Sequence, residues 1–197
     1  SDGASRFSML EPIRQYARQL LDDDAEAADV RARHATFFCT LAAETAPHLT
    51  RRDAAAWCDR LEREHDNLRA VLRRCAQTGH VAGLALVGHL RDFWFMRGHF
   101  SEGIAQATAL LELPTLTHPT VERARALATR AWLAVWHGDH PQTMADCHAA
   151  LSICAACGDR TVEPFVRNTL GIAYEITGNL VEAQTAFTQT LALAREL

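Results

Sequence analysis

Glycines at positions 98, 138 and 178 stand forty residues apart, each between two stretches whose apolar residues recur at three and four. A period this regular restricts the chain to a repeated supersecondary unit. The flanking strings are Arg97-Gly98-His99-Phe100, His137-Gly138-Asp139-His140 and Thr177-Gly178-Asn179-Leu180. A residue just past a helix end often takes the left-handed conformation, which glycine reaches without a Cβ penalty. Ser101, Pro141 in a first turn and Asn179 as a cap then fit the start of a partner helix. Further turn signals fall midway, at Gly79, His118-Pro119 and Gly158-Asp159, so each unit reads helix, turn, helix. Two such helices cannot bury both their faces alone. The expected architecture is therefore all-α, an α-solenoid of antiparallel helix pairs over residues 79–197, with units at 79–117, 118–157 and 158–197.

The N-terminal half follows the same helical period with one exception. Residues 5–10, SRFSML, fit a short extended segment running into a helix with Pro12 in its first turn. That helix carries Ile13, Tyr16, Ala17, Leu20 and Leu21 on one face and ends at the acidic run Asp22-Asp23-Asp24. A second helix is expected over 28–46, stopping at Pro47. Asp53 is placed as the cap of a long helix whose stripe is Trp57, Leu61, His65, Leu68, Val71, Leu72 and Cys75, with a break within 64–67. On that stripe His65 reads as a hydrogen-bonded core or boundary histidine. Residues 25–78 form a helical connecting region.

Composition narrows the function. The formal charge of −4 argues against a phosphate-backbone binder, so no direct nucleic-acid contact is expected. All twenty basic residues are Arg, which together with abundant Ala points to a GC-rich genome and favours helix. No apolar run approaches the roughly 18 residues of a membrane span, and no leader is recognisable, so a cytoplasmic protein without membrane contact is expected. The six cysteines then read as reduced and mostly buried. Cys154-Ala-Ala-Cys157 has no second CxxC, and no metal site is expected; zinc on Cys147, His148, Cys154 and Cys157 is the remote alternative.

The third unit, LGIAYEITGNLVEAQTAFTQTLALA, resembles a tetratricopeptide repeat through Leu170-Gly171, Tyr174, Gly178, Ala183 and Phe187. The first unit keeps Leu90, Trp94 and Gly98 but has Arg91 and Gly103 at the small sites, and the middle unit keeps little beyond Gly138. The resemblance implies a right-handed solenoid. Its forty-residue period exceeds the usual 34 of that family, which suggests longer helices. RFSMLEPIRQYARQLL, RHATFFCTLAAETAPHL, WCDRLEREHDNLRAVLRRC and FWFMRGHFSEG, in that order, look like the region after the NTPase and winged-helix modules of STAND-class, LuxR/AfsR-like transcriptional regulators. On that likeness residues 1–24 are the tail of a winged-helix module, the repeats are a sensor or interaction arm, and the chain is an excised piece of a larger protein. The sequence contains no GxxxxGK[ST] loop, so ATP is implied only for an absent NTPase domain and no cofactor is expected here.

No catalytic constellation is present in the sequence, and an enzyme is not expected. If the first helix of each unit lines the inner groove, as the resemblance implies, His89, Asp92, Phe95 and Met96 point inward from the first unit. Arg125, Thr129, Trp132 and Trp136 follow from the second, and Asn168, Ile172 and Glu175 from the third. That composition suits a protein, a peptide or a small effector. The competing reading is that Phe95, Trp132 and Trp136 only pack against neighbouring helices. Two functions stand: a regulatory arm that relays an effector or partner to ATPase and DNA-binding domains, and a plain interaction or self-association scaffold. Trp132→Ala and Trp136→Ala are expected to weaken binding while helicity stays near wild type.

Overall fold

The computed structural model describes residues 26–196 together with Leu10, Ile13, Tyr16 and Ala17. The segment expected to be extended at 5–10 lies outside the described residues except for Leu10, which is exposed and in no regular element; Pro12, Leu20, Leu21 and the acidic run also lie outside them. Ile13, Tyr16 and Ala17 are helical. Among the described residues there is no strand. The helices are α1 (Ala27–Thr45), α2 (Ala54–Arg63), α3 (His65–Thr78), α4 (Ala82–Arg97), α5 (Phe100–Leu111), α6 (Val121–His137), α7 (His140–Cys157), α8 (Glu163–Ile176) and α9 (Leu180–Glu196). Short 3-10 turns occupy Ala46–His48 and Pro114–Leu116. By internal contacts the chain divides into two units, residues 1–37 and 38–197, and the remaining description concerns the second.

Three helix pairs meet at the glycine corners. Gly98, Gly138 and Gly178 have φ of +73°, +91° and +82°. At each corner the residue after the glycine donates back to a carbonyl five residues upstream: His99 to Trp94 at 2.9 Å, Asp139 to Ala134 at 2.9 Å and Asn179 to Tyr174 at 2.8 Å. The glycines donate to Phe95, Val135 and Glu175. This paired pattern satisfies carbonyls that the ending helix leaves open. It is the physical content of the forty-residue spacing.

Starts are less uniform than the sequence suggested. Asp139 accepts from Gln142 N and Thr120 from Arg123 N, as helix caps do. Asp53 stands at the start of α2 but makes no capping bond; its carboxylate instead accepts from Trp57 Nε1 at 2.7 Å. Helix α5 opens at Phe100 with His99 at the cap position, one turn position earlier than Ser101 implied. The break between α2 and α3 falls at Glu64, within the expected interval.

Packing runs from each helix to its near neighbours. α4 packs on α3, α5 and α6, and α6 in turn on α5, α7 and α8; α9 packs on α8. A helix surrounded in this way must be apolar over most of its circumference. Leu84, Leu86, Val87, Leu90, Phe93 and Trp94 of α4 are accordingly all at most 1% exposed. Helix α6 meets the same demand with small residues, burying Ala124, Ala126, Ala128, Ala131 and Ala134, which lets several neighbours approach its axis. Gly103 serves the same end on α5: a Cβ there would lie 2.9 Å from the Trp94 ring and collide with Leu133.

A buried ion pair joins α5, α6 and α7. Arg130 meets Asp146 through Nε–Oδ2 at 2.8 Å and Nη2–Oδ1 at 2.7 Å, and its Nη1 donates to Thr108 Oγ1 at 3.1 Å. Gln142 adds a bond to the same carboxylate at 2.9 Å. The Asp146 side chain is 3% exposed. Nearby, Arg123 Nη1 donates to the carbonyls of Leu111 and Leu116, fastening the connection between α5 and α6.

Candidate functional site

The first helices of the three pairs, α4, α6 and α8, carry one continuous aromatic cluster. Phe95 lies 5.2 Å from Trp132 and 5.8 Å from Trp136, centroid to centroid, and Trp132 lies 5.4 Å from Phe165. Phe100 joins from α5 at 6.0 Å. These separations and tilts are those at which aromatic pairs attract beyond simple burial. Trp136 is 48% exposed, whereas Trp132 is half-buried and its Nε1 is buried without a hydrogen bond. The cluster is thus both packing and surface: Trp132 forms its floor, and Trp136 offers a face to solvent.

Beside it lies a cavity of about 240 Å³ lined by Gly88, His89, Arg91, Arg125, Ala128, Thr129, Thr161, Val162 and Phe165. Helical spacing brings these together: Gly88, His89 and Arg91 share one turn of α4, while Arg125, Ala128 and Thr129 share one face of α6. Thr129 is buried and spends its hydroxyl on the Arg125 carbonyl at 2.9 Å. Arg91 is held twice, bidentate to Asp92 at 3.0 and 2.9 Å and with its guanidinium carbon 3.9 Å from the Phe165 centroid. Arg125 is exposed and makes no ion pair among the described residues. Such a cavity joins a cationic rim to an aromatic wall, a combination suited to a planar or apolar group carrying negative charge.

His89 responds to this environment. Burial, and secondarily the Arg125 charge, push its pKa below the usual 6.5. The unfolded chain therefore binds the proton more readily, so the stabilising contribution is full above pH 6.5 and is lost as pH falls through the folded-state value. Wild type is expected to lose denaturant resistance more steeply than His89→Gln between neutrality and about pH 5, as read by the denaturation midpoint. Equal slopes would show that His89 carries no such linkage.

The inward set predicted from sequence thus divides. His89, Arg125 and Thr129 line the cavity, and Phe95, Trp132 and Trp136 form the cluster beside it. Asp92 is occupied by Arg91. Met96 lies apart, with its sulfur 3.7 Å from Cys58 Sγ. Asn168 and Ile172 are half-buried on α8 and line neither feature, and Glu175 borders a separate open groove with Leu180, Ala183, Phe187 and Leu191. Sequence reasoning passed over Arg91 and Phe165. Arg91 is a misfit at a small-residue site in the repeat register, although an Arg two residues after a His on a first helix was the available signal.

The cysteines are free and, apart from Cys157 and the half-buried Cys39, buried. Burial pushes the Cys147 thiol up to about 12, and Cys157 Sγ donates to the Pro119 carbonyl. With His148 they do not gather their donor atoms into a metal-sized group among the described residues. No helix among the described residues is long and apolar enough to cross a membrane.

No family model matches the chain. Proteins of Mycobacterium bovis and Mycobacterium tuberculosis, named as candidate HTH-type transcriptional regulators, are each 35% identical to it over 165 residues, which is 80% of this chain. The chain spans only 18% of the length of these relatives.

Proposed function

We propose that this chain is a non-catalytic sensor and interaction arm of an ATP-dependent bacterial transcriptional regulator of the STAND class, built as a right-handed tetratricopeptide-like solenoid. In this reading residues 79–197 are the repeats, 25–78 connect them to the rest, and 1–24 close a winged-helix module. ATP and DNA are handled by domains elsewhere in the parent, in the cytoplasm, and this arm touches neither nucleic acid nor membrane. The observation that carries the reading is the aromatic cluster continuing into the Arg91–Arg125 cavity along α4, α6 and α8. It provides an anchor and a charged selector on one helical face. A small anionic effector, or a peptide presenting such a group, fits it best. The length and names of the mycobacterial relatives agree with an arm of a larger regulator.

The structure separates the two tryptophans as probes. Trp132→Ala would open the packed floor, whereas Trp136→Ala removes a half-exposed ring. In the parent protein, Trp136→Ala or Arg125→Ala is expected to raise the effector or partner concentration needed for half-maximal reporter output by about ten-fold or more. The helicity of the arm stays at wild type. An unchanged response from both variants would sink the groove, and a gene lacking an adjoining P-loop module would sink the regulator.

A scaffold reading is favoured by one feature, the exposed Leu180, Val181 and Leu191 on α9. Sedimentation across a concentration series tests it: a Leu191→Glu change that abolishes self-association would support it, and a monomer at every concentration would remove self-association.

A further inference from the structure

We infer that Glu62, His65 and His99 form a binding site for a divalent transition-metal ion of the zinc class. The three come from separate pieces of backbone. Glu62 lies in the last turn of α2, His65 opens α3 after the break at Glu64, and His99 sits at the corner between α4 and α5. One donor atom from each lies within 4.8 Å of the others. Glu62 Oε2 is 3.3 Å from His99 Nε2, and Glu62 Oε1 is 3.8 Å from His65 Nδ1. Two ligands bound at about 2.0–2.1 Å to a tetrahedral ion stand about 3.3 Å apart. The first distance already fits; the second, to the other oxygen of the same carboxylate, is the one that an ion shared by all three would have to shorten.

The orientation of His65 carries the argument further. Its ring is 8% exposed, and Nε2 lies 2.8 Å from Glu102 Oε1. Arg69 grips the same carboxylate, with Nε 3.0 Å from Oε1 and a second nitrogen on Oε2. A carboxylate held this way accepts hydrogen bonds, so Nε2 carries a ring proton, and in the neutral ring Nδ1 keeps the lone pair a metal needs. Nδ1 lies on the Glu62 side, 3.8 Å from Oε1, and receives no hydrogen bond among the described residues. A histidine donating one ring N–H to a carboxylate while offering the other nitrogen is the usual support for a bound metal, raising ligand basicity and fixing the ring. The His65 and His99 rings stand 4.7 Å apart at 36°, with Phe93 against both.

Two imidazoles and one carboxylate suit zinc, cobalt or nickel better than magnesium or calcium, which prefer oxygen shells. Arg97 Nε lies 3.7 Å from Glu62 Oε2 but has Asp59 as its closer partner. Glu62 and His99 are 42% and 28% exposed, so the fourth position opens to water or an incoming ligand. An ion there ties the α2–α3 break to the first helix corner.

The test is cobalt titration of the 197-residue chain after chelator treatment. One equivalent should bind with the visible absorption of four-coordinate Co²⁺, Zn²⁺ should displace it, and Zn²⁺ should raise the thermal midpoint until EDTA is added. His99→Ala and Glu62→Gln should abolish uptake, and Glu102→Gln should weaken it by about 10–100-fold. His99→Phe keeps a ring against Phe93 and serves if His99→Ala loses helicity. Cys157→Ser should bind as wild type. Absence of uptake by the wild-type chain in excess cobalt, or uptake that survives a folded His99 variant, overturns the site.

Discussion

Asp146→Ala is expected to lower the unfolding free energy by about 3–5 kcal/mol, the cost of stripping one partner from a buried ion pair. The size follows from what remains behind. Arg130 has a side chain 12% exposed, and both of its contacts to Asp146 are short. Without the carboxylate, its guanidinium keeps only the Thr108 hydroxyl, and Gln142 loses an acceptor as well. An uncompensated charge inside the α5–α6–α7 junction has no low-energy alternative short of opening the junction. Denaturant unfolding with an unchanged slope reads the loss as a lower midpoint. The partner experiment replaces both residues, Arg130→Met with Asp146→Leu, and should come out near neutral, because removing the whole pair also removes its desolvation penalty. A single variant costing less than about 1 kcal/mol would mean that the pair is solvated like a surface bridge.

Trp94→Ala ranks second and is expected to cost about 3–5 kcal/mol. Trp94 is fully buried and lies over Gly103, whose missing side chain makes room for it and for Leu133. The indole Nε1 has no hydrogen-bond partner, so the ring stabilises by packing alone. Trp94→Phe should therefore be much milder than Trp94→Ala, since it removes the orphan N–H while retaining a ring. Gly103→Val should itself destabilise by overpacking, by about 1–3 kcal/mol. Combined with Trp94→Ala it should instead recover part of the loss, because the new side chain enters the vacated space. Strict additivity of the two in denaturant midpoints would refute that contact.

What the sequence made legible was set by backbone rules. The corner glycines and the break near Glu64 follow from local conformational demands and appear where local reasoning put them, whereas the helix expected to stop at Pro47 ends at Thr45 and passes into a 3-10 turn that contains the proline. Helix lengths were less readable. The long period suggested longer helices, and α6 and α7 are long at 17 and 18 residues, but α5 has only 12. There the period is completed by the connection through Pro114–Leu116, which Arg123 fastens through two carbonyls. Such a bond joins residues whose proximity exists only after folding. The same limit applied to the cavity. His89, Arg125 and Thr129 were reached through repeat register, but Arg91 looked like a repeat error until Phe165 from a later helix came beneath it. Glu62 and His65 are three residues apart across the break at Glu64, yet His99 joins them through tertiary packing, and no linear spacing announces that trio.

The neighbour-to-neighbour packing of the helix pairs has a consequence for the order in which the protein comes apart. α9 leans chiefly on α8, with Glu196 reaching Arg160 ahead of that helix, while α6 is held by α4, α5, α7 and α8. Opening free energy should therefore form a gradient along the array, lowest where a helix has one supporter and approaching the global value where it has several. Among the helix pairs α4 to α9, amides of α9 should exchange with solvent first, and those of α6 last. A segment that opens from its end without disturbing the middle can release or admit a neighbouring element while the Arg130–Asp146 junction stays closed.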